Sequence, residues 1–379
     1  MNLVDAIGEP ALVRTVWDDG RTARFHHVWL RDNCACTECR HPTIPERTLD
    51  SITVPLDIVA SSVAVTGGTL AVGWPDGHRS SFGSAWLAEH AYEPGFRPVV
   101  DEPRTLWRAA DLAAAPESDY AQVMGSDEGL LGWLLQLREF GVSFVRNTPT
   151  VPGTVIGLAE RIAFIRNSNF GLLWDVQSKP QADSLAYTAV PLTPHTDLVS
   201  RTVQPGVQFL HCLVFEATGG DSTLVDGFAC ADELRRSDPA AFDVLTNTPI
   251  PYRYHSDDCD IAARGPMIRL DPEGELDEIR YSNALMAPLA VDPDRMTELY
   301  RSVRAFTSLL RSDEFTFRTR LDPGDVMTFD NHRVLHGRES FDPQSGPRHL
   351  QGTYIDRDDL LSRLRLLGAL APRSTTKPA

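Results

Sequence analysis

Histidine and aspartate stand one residue apart in PLTPHTDLVSR, residues 191–201, as His195 and Asp197. On a β-strand, residues i and i+2 point to the same face, so an imidazole and a carboxylate could converge on a point that Thr196 cannot reach. Two donors hold a catalytic metal poorly, and a third must come from a distant part of the chain. The candidates are His211, His255, His332, His336 and His349. In VMTFDNHRVLHGRESF, residues 326–341, an alternating strand runs into a turn at DN and resumes at VLHGR. His336 falls where a second strand could face the first, and His332 falls at the turn. Two imidazoles and one carboxylate leave half an octahedron open. That suits a non-haem ferrous ion, which must also take a chelating cosubstrate and O2. Alone, H-x-D is too short a pattern to decide, because a polar pair on the wet face of a strand reads the same way.

A second cluster lies far upstream. NCACTEC places Cys34, Cys36 and Cys39 within six residues of one another. Three thiolates that close want a soft, tetrahedral ion, most commonly zinc. A structural site needs a fourth ligand. His41 is nearest but cramped, whereas His78, on the turn of WPDGHRSSF, could fold back from another strand. Cys212, Cys230 and Cys259 read as buried apolar residues.

These groups need elements to hold them. Residues 1–98 read as a small β-rich domain of short alternating segments, RTARFHHVWLRDNC, SSVAVTGGTLAVGW and HRSSFGSAWL. A linker follows over 99–118, and a second domain spans 119–379. In it, LGWLLQLREF has helical spacing, Gly141 is a natural stop, and VSFVRN reads as strand. TVIGLAERIAFI and residues 292–312 are predicted helices. From 185 to 356 evenly punctuated strands predict a sandwich, barrel or jelly roll. DRDDLLSRLRLLGAL could cover such a barrel or meet a partner, and APRSTTKPA is expected to be disordered.

Composition narrows the class. The 379 residues are 42% hydrophobic and 23% charged, with a formal net charge of −16. That acidity argues against nucleic acid as a partner. No apolar run is long enough to span a membrane, and the N-terminus lacks the form of a signal peptide. A cytoplasmic enzyme is the expectation.

The segments PHTDLVSR, PGVQFLHCL, GGDSTLVDGF, LDPGDVMTFDNHRVLHGRESF and RHLQGTYIDRDDLLSRLR, in this order, resemble the γ-butyrobetaine hydroxylase family, within the taurine-dioxygenase-like Fe(II)/2-oxoglutarate oxygenases. The resemblance covers nearly the whole chain. It implies a mainly β chain with flanking helices: a double-stranded β-helix (jelly-roll) catalytic domain behind a small N-terminal zinc-binding domain. It assigns His195, Asp197 and His336 to iron, and Cys34, Cys36, Cys39 and His78 to structural zinc. Arg348 falls at the family's 2-oxoglutarate arginine, and a guanidinium suits the far carboxylate because its two parallel donors stay charged. Ser222 matches a position whose hydroxyl could assist. The resemblance also implies a homodimer.

In that family an aromatic cage holds a trimethylammonium head, since π faces attract a cation without a hydrogen bond. The corresponding residues are Phe170, Trp174, Tyr187 and Tyr354, with Ser184 and Asn283 near the substrate carboxylate. Phe170 replaces an expected tyrosine, and Ser184 an expected amide. The implied reaction is aliphatic C–H hydroxylation of γ-butyrobetaine to carnitine, consuming O2 and 2-oxoglutarate and releasing succinate and CO2. Trimethyllysine, a trimethylammonium phosphonate and an unmethylated amino acid are alternative substrates. Two rivals differ in class: a non-catalytic, zinc-held β-sandwich binding protein, and a zinc hydrolase using the same triad. Neither needs an anchor such as Arg348 for a dicarboxylate.

Overall fold

The computed structural model describes residues 2–93, 104–112, 114–177 and 188–368. Ser184, Tyr187, residues 99–103 and 113 of the expected linker and the C-terminal APRSTTKPA lie outside these. Two units are resolved, Met1–Asp101 and Glu102–Leu370.

The first unit holds two three-stranded antiparallel sheets. Leu3–Gly8, Leu12–Trp17 and Thr22–His26 form one, and Ser62–Thr66, Thr69–Gly73 and Arg79–Gly83 the other. Trp17, Phe25, Leu70 and Phe82 share their core. HHVWLRDN, which sits in a segment read as strand, departs from that reading and forms the helix His27–Asp32. Its buried residues, His27 and Leu30, are three apart, the spacing of a helix face and not of a strand.

In the second unit, helix Asp127–Phe140 begins on Ser126, whose Oγ accepts from the Gly129 N–H. It ends at Gly141, with φ 72°, whose N–H closes on the Leu137 carbonyl. Only glycine adopts this left-handed conformation cheaply. The chain then enters strand Val142–Arg146, as the sequence predicts. Trp107, within the segment read as linker, is buried in this unit's core.

Two sheets carry the rest. The larger has six strands in the order Glu117–Asp119, Val142–Arg146, Val326–Asp330, Val207–Phe215, Arg348–Ile355 and Trp174–Val176. The smaller has four: Leu192–His195, Val334–Arg338, Ser222–Asp226 and Phe317–Thr319. Side-chain alternation sorts residues 207–212 between the two faces of the larger sheet. Val207 and Phe209 face outward, onto Trp133, Leu134 and Leu137 of the helix. Leu210 and Cys212 face inward and pack with Phe144, Leu224, Phe329 and Leu350 between the sheets. This is a jelly roll. The last helix, Arg357–Leu366, buries Leu360 and Leu364 in the outer cluster, so it covers the barrel.

Helices Gly227–Ser237, Pro239–Asn247 and Met296–Leu310 build a further core beside the smaller sheet. A buried ion pair anchors its central strand. Arg333 donates from Nε and Nη2 to the two oxygens of Asp226, at 3.1 and 2.7 Å. Asp226 also caps the helix that starts at Gly227. No helix among the described residues is long and apolar enough to cross a membrane.

Candidate active site

Strand Leu192–His195 pairs antiparallel with Val334–Arg338, and the register sets His195 directly opposite His336. Opposed residues of an antiparallel pair share a face. The two imidazoles accordingly stand 4.4 Å apart between centroids. Asp197 completes the group: its Oδ1 lies 3.4 Å from His195 Nε2 and 3.9 Å from His336 Nε2. The three donor atoms converge within 4.8 Å of one another.

Asp197 reaches this point by a different route from the i, i+2 strand geometry. The strand ends at His195, and Asp197 starts the turn 197–200, followed by Leu198 at φ 55°. A leucine held left-handed is strained and persists only where its surroundings impose it. Asn331 supplies the brace: its Oδ1 accepts from the Asp197 N–H at 2.7 Å, and its Nδ2 donates to the Asp197 and Pro205 carbonyls. Arg280, buried beside Glu278, donates to the carbonyls of Val199, Arg201 and Thr202 and fixes the loop that follows. Thr196 turns away and is buried, its Oγ1 donating to Gln204.

The electrostatics favour metal ligation. His195 Nδ1 is 2.9 Å from the Thr193 carbonyl, so it carries the proton and leaves the Nε2 lone pair facing Asp197. Burial pushes the Asp197 carboxyl up. The imidazoles of His336 and His195 and the Tyr354 hydroxyl, donating at 2.7 Å, outweigh it and hold the group well below the usual carboxylate range. Burial and the charge of His195 push His336 down to about 3, so it stays neutral and able to ligate. His195 is pulled the other way: burial lowers its pKa, but Asp197 more than compensates and raises it. Two neutral-capable imidazoles and a carboxylate held ionised, with no fourth side chain in the group among the described residues, are a donor set that a ferrous ion fits.

The remaining histidines are placed elsewhere. His211 is fully buried on the outward row of its strand, with neither ring nitrogen hydrogen-bonded among the described residues. His255 is exposed on the hairpin formed by Ile250–Ser256 and Cys259–Gly265. His349 pairs with Asp175 at 2.7 Å. His332 lies at the turn before its strand, as expected from sequence.

Arg348 begins strand Arg348–Ile355, opposite Phe215, with its guanidinium 5.0 Å from that ring and 5.7 Å from Phe341. Among the described residues it has no ion pair and its Nε has no acceptor. Sequence reasoning missed its neighbour Arg338. Two residues beyond His336 and opposite Ser222, Arg338 lies 4.9 Å from the same Phe341 ring. It donates to the Thr188 and Val190 carbonyls. Burial pushes both guanidinium groups down to about 10, with Arg338 adding to the effect on Arg348. Both buried guanidinium groups thus stand against the Phe341 ring, with Ser222 opposite Arg338. The signal was present in the sequence: in HGR, the residue two after a ligand histidine shares its face.

Of the aromatic residues, Trp174 and Tyr354 meet at 5.2 Å, and Tyr354 ties the pair to Asp197. Trp174 lies flat on Gly352, where a Cβ would stand 2.1 Å from the indole. Phe170 packs edge-on against Tyr254 at 5.7 Å, a partner that sequence reasoning missed. Asn283 is exposed on a turn, two residues after the Tyr281 carbonyl that accepts from Thr196 N–H.

In the first unit, His78 Nε2 lies 3.2, 3.6 and 3.6 Å from the sulfurs of Cys34, Cys36 and Cys39. A tetrahedral zinc with ordinary bond lengths sets sulfur and nitrogen about 3.5 Å apart, so the four donors fit that ion. Glu38 stands 3.2 Å from His78 Nδ1 and orients the ring. His41 accepts from the backbone of its own turn instead.

Comparison with known proteins follows the same division. Residues 9–88 match the family described as gamma-butyrobetaine hydroxylase-like, N-terminal. Residues 101–354 match the taurine catabolism dioxygenase TauD, TfdA family. A gamma-butyrobetaine dioxygenase of Pseudomonas sp. (strain AK-1) is 46% identical, over 94% of this chain and 93% of its own. A mitochondrial trimethyllysine dioxygenase of Gallus gallus is 39% identical, over 92% and 84%. The Homo sapiens gamma-butyrobetaine dioxygenase is 32% identical, over 96% of both.

Proposed function

Because the chain belongs to the TauD/TfdA dioxygenase family, in its γ-butyrobetaine hydroxylase-like group, and is a dioxygenase, we propose that it hydroxylates an aliphatic carbon of a trimethylammonium carboxylate, first of all γ-butyrobetaine. The observation that carries the substrate is the 46% identity, over nearly all of both chains, to a gamma-butyrobetaine dioxygenase. Trimethyllysine is the second reading, supported by the 39% identical trimethyllysine dioxygenase.

His195, Asp197 and His336 would hold iron(II), and Arg348, with Arg338 and Ser222 beside it, the far carboxylate of 2-oxoglutarate. Iron(II) bound with 2-oxoglutarate and O2 supplies the oxidation that converts a substrate C–H to C–OH, while the keto acid becomes succinate and CO2. The protein's own contribution is positional. The Thr193 carbonyl keeps the proton on His195 Nδ1, so Nε2 can ligate. Tyr354 holds Asp197 by its hydroxyl and packs its ring against Trp174. One side chain thereby sets the distance between a ligand carboxylate and the face that takes the cation. Phe170 with Tyr254 would add a second wall, and Tyr187, Ser184 and Asn283 belong to the same proposed pocket.

We also propose that Cys34, Cys36, Cys39 and His78 hold zinc as a structural staple in a domain of residues 1–98, with 119–379 as the oxygenase. The remaining parts of the reading are a cytoplasmic homodimer with no nucleic-acid or membrane partner. Light scattering at twice the chain mass would support the dimer, and the monomer mass would reject it.

The deciding experiment is succinate release by the iron-loaded protein with 2-oxoglutarate under air, comparing γ-butyrobetaine, trimethyllysine, a trimethylammonium phosphonate and an unmethylated analogue. Coupled release greatest with γ-butyrobetaine supports the proposal. Release greatest with another compound moves the substrate, and turnover without O2 or 2-oxoglutarate rejects the chemistry.

A further inference from the structure

Gln208, in PGVQFLHCL, is only 1% exposed, and its Oε1 has no hydrogen-bond partner among the described residues. A buried amide oxygen left unmatched is costly, so such atoms commonly mark a place where another molecule arrives. The register says where this one sits. Gln208 is directly opposite Phe329 on one neighbouring strand and Tyr354 on the other. All three belong to the inward row, the one continued by Leu210 and Cys212. Phe329 packs against His336 at a tilt, 4.8 Å between ring centroids, and Tyr354 donates to Asp197. The carboxamide is thus flanked on both sides by residues that touch two of the three proposed metal ligands.

We propose that Gln208 is a positioning residue of the reaction centre, whose carboxamide hydrogen-bonds an oxygen of a small ligand on the open side of the metal. This rests on the iron and 2-oxoglutarate reading above. An amide offers an acceptor at one end and two donors at the other. Two ligands present the required oxygen: the carboxylate of the 2-oxo acid, which takes the Nε2–H, and the water that precedes it, which donates to Oε1. Leucine at 208 keeps the volume and removes both ends. Glutamate keeps the shape and the acceptor but repels a carboxylate.

The test is equilibrium binding without turnover. Parent, Gln208→Leu and Gln208→Glu proteins are loaded anaerobically with Mn(II), the metal affinity is measured, and 2-oxoglutarate is then titrated by calorimetry. If the partner is the carboxylate, Gln208→Leu weakens 2-oxoglutarate about tenfold or more at unchanged metal affinity, and Gln208→Glu weakens it further. If the partner is the water, metal affinity falls in Gln208→Leu and is retained in Gln208→Glu. Either result supports the proposal. Parent-like affinities for both ligands in Gln208→Leu overturn it, and where that variant fails to fold, Gln208→Met, which also lacks both polar ends, takes its place in the same comparison. A parent protein that binds metal but no 2-oxoglutarate overturns the iron-oxygenase reading itself, a distinguishable result.

Discussion

The two candidate metal clusters are assembled in opposite ways. In the first unit, three of the four donors come from one knuckle, Cys34 to Cys39, and the fourth from a single hairpin turn. In the second, three donors come from a strand, a turn and a partner strand more than a hundred residues away in sequence: β-pairing register sets the two histidines opposite each other, and Asn331 braces the turn that brings in Asp197. The first set is chemically closed, with four donors at tetrahedral separations. The second has three donors grouped together, and its neighbours are groups that suit small ligands: paired arginines, an orphan amide and an aromatic face. A closed set built locally suits a staple, and an incomplete set built by the whole fold suits chemistry.

Removing Asp197 breaks this contrast most sharply. Asp197→Ala should lower turnover at least about 1000-fold, because two imidazoles alone hold iron poorly, while zinc content by metal analysis stays near one per chain. Loss of both metals together would show the clusters to be coupled. Cys34→Ser tests the other side. It should abolish zinc retention and shift the unfolding of the first unit to lower temperature, by several kcal/mol of lost metal binding, with iron binding at the second site preserved. A parent protein with no zinc after gentle iron removal would reject that assignment.

Trp174→Ala probes the open side more gently. KM for the quaternary amine should rise about tenfold or more, with KM for 2-oxoglutarate within about twofold. Equal effects on both would reject the cage. The smallest effect near neutral pH concerns His211, which neither cluster uses. Burial pushes it down to about 4, so the folded state holds it neutral while the unfolded chain protonates it near 6.5. Its stabilising contribution is present above pH 6.5 and is lost as pH falls toward 4. At pH 6 the loss is under about 1 kcal/mol, growing to about 3 kcal/mol at pH 4. Denaturant unfolding of the protein and of His211→Leu across this range checks it: the variant should show a shallower decline.

Several of these features could be read from the amino-acid sequence because they depend on local spacing. The cysteine knuckle, the histidine–aspartate pair, the Gly141 stop and the strand alternation of VMTFD are all short-range patterns. Strand placement favoured His336 among five candidate histidines, and the family's order of motifs was needed to single it out. Asp197 was placed on a strand because i, i+2 alternation is the simplest way to align two side chains. The actual turn depends on Asn331 and Arg280, brought in from distant segments. Arg338, Tyr254 and Gln208 were missed for a similar reason: Arg338 and Gln208 draw their surroundings from the residues opposite them in register, and Tyr254 meets Phe170 from a distant segment, neither of which one strand's sequence reveals.

One small residue has a wider consequence. Gly352 lets the indole of Trp174 rest against bare backbone, with 2.1 Å between that ring and the position of any added methyl. Positions 352 and 174 are therefore not independent in any redesign of this enzyme. A larger group at 352 is tolerable only alongside a smaller one at 174, and engineering toward bulkier cations should begin with paired libraries at these two positions.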